Sequence, residues 1–182
     1  KLSPITLDTT LGWKATENCR FEGKRNSLDG TEYAVRVSQD RAGFRMFGDR
    51  SSGKPKAFVI GDSFTQAVEV SDDKTYYAVL KQLGDLEVFA YGAGGYGSLQ
   101  EFMILDQYFD LIGPDLNVWQ FTTIDLINNS PDLEKASTIN NNGMVRPYWT
   151  EGKVSYILPK ENTSDFRLLA LKYCRICYMI FN

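Results

Sequence analysis

A short apolar run, Ala57–Ile60, leads into Gly61-Asp62-Ser63 and so puts a hydroxyl at a strand-to-helix turn. There Ser63 is expected to be exposed with its backbone N–H free, facing any negative charge that develops nearby. The plainer role of Asp62-Ser63 is to cap the following helix. Two more stretches, Gly92–Gly97 and Thr122–Asn129, follow apolar runs in the same way, the latter carrying Asp125. What is missing limits the chemistry further. None of the 182 residues is histidine, so the chain holds no imidazole base, no histidine triad and no histidine zinc site. Asp62 and Asp125 alone are too few for a metal site.

Cysteine adds little. Cys19 stands alone, and Cys174 and Cys177 form a C-x-x-C inside an apolar tail. A single pair gives only two zinc ligands, and no βαβ turn precedes it, so these thiols read as small buried hydrophobes.

Composition is that of a globular domain, with 43% hydrophobic and 24% charged residues. Lys and Arg number 20 against 23 acids, a net charge of −3, which argues against a nucleic-acid partner. No run approaches the ~18 apolar residues of a membrane span. The first residues do not read as a secretory leader.

The elements that must carry these loops follow from periodicity. Residues 1–55 read as an irregular lead-in with one short strand at Glu32–Val37. From 56 to 182 the rhythm becomes strand, helix, strand, helix, strand: Ala57–Ile60, Thr75–Leu83, Leu86–Ala90, Leu99–Leu111 and Leu116–Phe121. Gly84 and Gly113-Pro114 are expected stops. Strands apolar on both faces predict a parallel sheet covered by helices, doubly wound and right-handed. Met144–Trp149 and Val154–Leu158 predict a β-hairpin turning at Gly152. A helix is expected from Phe166 to the end, capped by Ser164 or Asp165. Three strands make a thin sheet, so a C-terminal part is expected to be missing. In such sheets sites form at the carboxyl ends of the strands, where Gly61–Thr65, Gly92–Gly97 and Thr122–Asn129 should converge.

Phe58-Val59-Ile60-Gly61-Asp62-Ser63-Phe64-Thr65 resembles the first block of the GDSL/SGNH hydrolases, a family of serine esterases. Val68-Glu69-Val70 with Thr75-Tyr76, Val88–Gly97 with Gln100-Glu101, and Pro114-Asp115 are similar to later stretches of that family. Gly12-Trp13, Gly43-Phe44-Arg45 and Arg146-Pro147-Tyr148 resemble its lead-in and a common insertion near 144–158. The resemblance implies a three-layer α/β/α flavodoxin-like fold with a central parallel sheet, incomplete at the C-terminal end. It implies Ser63 as nucleophile, the N–H groups of Ser63 and Gly95 as oxyanion donors, and Asp62 and Asp125 as supports. No metal or organic cofactor is implied, and the implied substrate is a small-molecule or carbohydrate acyl or acetyl ester. Many relatives are exported or membrane-anchored, and the resemblance leaves the compartment and oligomeric state open.

The chain departs from the family pattern twice. Ile124 stands where the third block has an asparagine donor, a loss that typically costs ~10²–10³ in rate. Asn128 or Asn129 could replace it only through a rearranged loop. The final Asp-x-x-His is absent, which leaves Ser63 an ordinary alcohol. The expectation is therefore an ester hydrolase domain, inactive as it stands. The alternative is a non-catalytic carbohydrate- or partner-binding module using Trp119, Tyr148 and Trp149, of which Trp119 is expected to be buried. Gly92-x-Gly94-x-x-Gly97 also satisfies a dinucleotide fingerprint, but it follows the second strand rather than the first, and no acid ends Leu116–Phe121.

Overall fold

The computed structural model describes residues 3–137 and 144–159. The expected tail helix and the Cys174/Cys177 pair lie outside the described residues. Strands β1 (Ile5–Asp8) and β2 (Gly12–Ala15) form one antiparallel hairpin, and β3 (Arg20–Asn26) and β4 (Glu32–Ser38) form another. A two-residue strand follows, β5 (Met46–Phe47). Next come β6 (Lys56–Gly61), the single-turn α1 (Ser63–Gln66), α2 (Tyr76–Gly84), β7 (Glu87–Gly92), α3 (Ser98–Ile112) and β8 (Leu116–Trp119). Two short helices, α4 (Asp125–Asn128) and α5 (Pro131–Ala136), precede a last hairpin of β9 (Arg146–Thr150) and β10 (Lys153–Ile157).

The molecule is α/β, and its main sheet is mixed, in the order β5-β7-β6-β8. Strands β7, β6 and β8 run parallel, as their apolar sequences require, while β5 pairs antiparallel to β7. The sheet is thus not wholly parallel. Its fourth strand is two residues long and gives no periodic signal; Phe47 opposite Phe89 and the bond from Arg45 N to Ala90 O at 3.0 Å hold it there.

Alternation along the central strands sends side chains to both faces. Phe58, Ile60, Phe89 and Tyr91 pack with Ile104 and Ile112 of α3, joined by Trp13, Phe44 and Tyr96. Ala57, Val59, Val88 and Ala90 pack with Tyr77 of α2 on the other face. Each large apolar side chain so buried contributes roughly 1.5–3 kcal/mol.

The first 55 residues are not irregular. They hold five strands, and Leu11, Trp13, Ala15 and Phe44 plug into the core, with Arg45 buried beside them. Phe44 sits among Phe58, Tyr91 and Tyr108 with ring centroids 5.9, 5.1 and 4.9 Å away. Arg45 is buried and donates to the carbonyls of Gln66 and Val70 and to the Asp72 carboxylate, so it fixes the end of α1. Helix α2 ends with Asp85 rather than Gly84 in the left-handed region, at φ +48°. Gly113 stops α3 as expected, at φ +59°. The β9–β10 hairpin turns through Glu151 and Gly152, both at positive φ, which matches the strand twist.

Strand β8 departs from expectation. Trp119 is 42% exposed and Leu116 is also exposed, because β8 pairs with β6 on one side and with no described strand on the other. Among the described residues, no helix is long and apolar enough to cross a membrane.

Candidate functional site

The three loops converge at the carboxyl ends of β6, β7 and β8, and glycines permit the approach. A Cβ on Gly92 would stand 2.5 Å from Gln66 N and 2.7 Å from Asp62 O, so the end of β7 lies against the backbone of the α1 turn. A Cβ on Gly97 would meet Asn129 Oδ1 at 2.7 Å and Asn128 Cβ at 3.0 Å. A Cβ on Gly94 would reach 4.0 Å from Ser63 Cβ, an ordinary contact.

Asp62 does cap α1. Its Oδ1 accepts from Phe64 N at 2.9 Å, and its Oδ2 accepts from Thr122 Oγ1 at 3.0 Å. With Asp62 turned inward, Ser63 is left exposed on the rim. Among the described residues neither its hydroxyl nor its N–H has a hydrogen-bond partner.

The Gly94–Gly95 peptide beside it is held from behind. Trp13 Nε1 donates to Gly94 O at 2.9 Å, and Gln66 Oε1 accepts from Gly94 N at 2.9 Å. In a trans peptide the C=O and the next N–H point in opposite directions, so Trp13 turns the Gly95 N–H away from itself. That N–H has no acceptor among the described residues. Gly95 takes φ +77°, which favours glycine, and its own carbonyl accepts from Arg146 Nη2 at 2.9 Å and Asn128 Nδ2 at 3.3 Å. Among the described residues, Ser63 and Gly95 thus each carry an unpaired backbone N–H, and Gly94 lies against the Ser63 side chain.

Asp125 supports the third loop. It is fully buried and its Oδ2 accepts from Thr122 N at 2.7 Å. Burial holds its carboxyl above the ordinary range, and the Asp62 charge adds to this. The Ile124 side chain presents no donor. Neither asparagine replaces it: Asn128 Nδ2 bonds the carbonyls of Gly95 and Tyr96, and Asn129 Nδ2 bonds Ser98 Oγ at 3.0 Å. The N–H groups of Ser63 and Gly95 are therefore unpaired backbone donors at this rim.

Sequence reasoning did not identify the residues that aim these donors. Trp13 and Arg146 were visible only as parts of short lead-in and insertion motifs, and Gln66 carried no signal at all. Tyr148, one of the aromatic candidates, is buried and donates to Glu134 Oε2 at 2.6 Å. Trp149 is 64% exposed. Among the described residues no group of three acids, cysteines or histidines could hold a metal. No protein-family model matches the chain, and no curated protein matches it.

Proposed function

We propose that this chain is a GDSL/SGNH-type ester hydrolase domain of three-layer, flavodoxin-like architecture, with Ser63 as its nucleophile. Three things support the fold: the order β7-β6-β8, helices on both sheet faces, and a site where the strand order reverses. One observation carries the function. Ser63 stands with an unpaired hydroxyl beside a Gly94–Gly95 peptide whose carbonyl is tied back by Trp13.

In this reading Ser63 Oγ attacks the carbonyl carbon of an acyl or acetyl ester. The carbonyl oxygen becomes an oxyanion held by the N–H groups of Ser63 and Gly95, and the alcohol leaves as the tetrahedral adduct collapses. The hydroxyl proton needs an acceptor. The chain holds no histidine to take it, and among the described residues no side chain is bonded to Ser63 Oγ. Turnover by this chain alone is then expected to be ~10⁶ below that of a complete site.

The test is p-nitrophenyl acetate cleavage by this chain, together with fluorophosphonate labelling of a longer chain that supplies an Asp-x-x-His. Weak cleavage here and strong labelling there, both abolished by Ser63→Ala, support the reading. Robust cleavage by this chain, or labelling that survives Ser63→Ala, overturns it.

A second reading rests on Ile124 and on the exposed Trp149: a binding module for carbohydrate that lacks catalysis. Polysaccharide binding by this chain that is lost in Trp149→Ala would favour it.

A further inference from the structure

Beneath the rim, three buried carboxyl groups from separate elements lie within electrostatic reach of one another. Asp62 at the head of α1, Glu101 in the first turn of α3 and Asp125 in α4 are each at most 1% exposed. Among the described residues none of the three has a lysine or arginine partner. Asp62 and Asp125 are supplied with hydrogen-bond donors by Phe64 N and by Thr122. Glu101 is less well served. Trp119 Nε1 donates to its Oε2, while its Oε1 is buried with no partner at all.

Desolvated like charges cannot accumulate without a cation, and the group with the fewest donors gives way first. The groups facing Glu101 are Asp62, Asp125, the Trp119 indole on β8 and the Tyr76 phenol on α2, whose own proton is held by burial, with Asp62 and Glu101 adding to the effect. None of them is a cation.

We infer that Glu101 is a neutral carboxylic acid at physiological pH, a proton store that lets the Thr122–Asn129 loop close over three acids. The inference stands without the esterase reading, since it concerns the support of the loop and not the reaction of Ser63. Burial, reinforced by the Asp125 and Asp62 charges, pushes Glu101 up to about 8 against the pull of the Trp119 bond. In a chain without histidine, this acid gives the site a group that titrates near neutrality. Above that pH its proton passes to solvent, and a further negative charge appears under the rim that would hold an oxyanion. Glu101 touches no substrate; it acts through the loop as a positioning residue.

The measurement is the indole N–H resonance of Trp119, assigned by its loss in Trp119→Phe and followed in 15N-labelled chain from about pH 5 to about pH 10. Ionising Glu101 makes Oε2 a stronger acceptor, so the resonance should move with a midpoint near 8. In Glu101→Gln the movement should vanish, and in Asp125→Asn the midpoint should fall. A resonance that stays still across this range, or that moves equally in Glu101→Gln, overturns the inference. Should Glu101→Gln fail to fold, Asp125→Asn decides: an unchanged midpoint overturns it and a lowered one supports it.

Discussion

The guanidinium carbon of Arg146 lies 4.7 Å above the Trp13 ring, and each of the two residues ties down one carbonyl of the Gly94–Gly95 pair. The lead-in supplies one clamp and the hairpin inserted after α5 supplies the other. The donor rim beside Ser63 is therefore built by segments far from it in the chain.

Trp13→Phe keeps an aromatic ring in the core and removes the indole donor. Gly94 O then loses its buried partner, which should cost about 1–3 kcal/mol in urea unfolding. In the proposed ester-hydrolase reading, cleavage should lose kcat with little change in KM, since there the Gly95 N–H would hold the oxyanion.

Arg146, Glu134 and Tyr148 form a buried polar group, with Arg146 Nε 3.2 Å from Glu134 Oε2. Arg146→Met leaves the Glu134 carboxylate unpaired, and the loss should be about 3–5 kcal/mol. The double variant Arg146→Met/Glu134→Gln should recover part of it, because an amide accepts from the Tyr148 hydroxyl without a buried charge. Equal stability of the single and double variants would contradict this account.

Gly92 and Gly94 should respond differently to a methyl group. Gly92→Ala drives a Cβ into the backbone of Asp62, Thr65 and Gln66 at 2.5–2.8 Å, so α1 must move, at a cost of about 1–3 kcal/mol or more. Gly94→Ala meets Gln66 Oε1 only at 3.4 Å and should change the unfolding midpoint little. Its methyl would narrow the approach to Ser63 and so should slow labelling there.

Glu101 makes stability depend on pH with a definite sign. Its folded-state value of about 8 lies above the ordinary 4.5 of a glutamate, so the native state binds the proton more tightly than the unfolded chain does. The stabilisation is complete below about pH 4.5, falls as the pH rises, and is gone above about pH 8, a swing of a few kcal/mol at 1.36 kcal/mol per unit. Glu101→Gln should remove this slope, read as the difference in urea midpoint between wild type and variant across that range.

The alternation of Phe58-Val59-Ile60 and the helical spacing before Gly113 were enough to predict β6, β7, α3 and the turn that exposes Ser63, because those patterns report local geometry and burial. The strands of the lead-in left little trace because Arg20–Asn26 has Phe21 as its one large apolar residue among charged and polar ones, and its strand pairing comes from β4 alone. Trp119 was misjudged as well. An apolar strand looks the same whether it lies inside a sheet or along its edge.

The amino acids alone settled the absence of an imidazole base and the hydroxyl at the first turn, since residue identity is independent of folding. Only the tertiary structure decided where the Gly95 N–H points and which acid lacks a partner. Those outcomes depend on bonds spanning 81 residues from Trp13 to Gly94 and 51 from Gly95 to Arg146. Contacts at such separation arise from the packing of layers, and no periodicity along the chain encodes them.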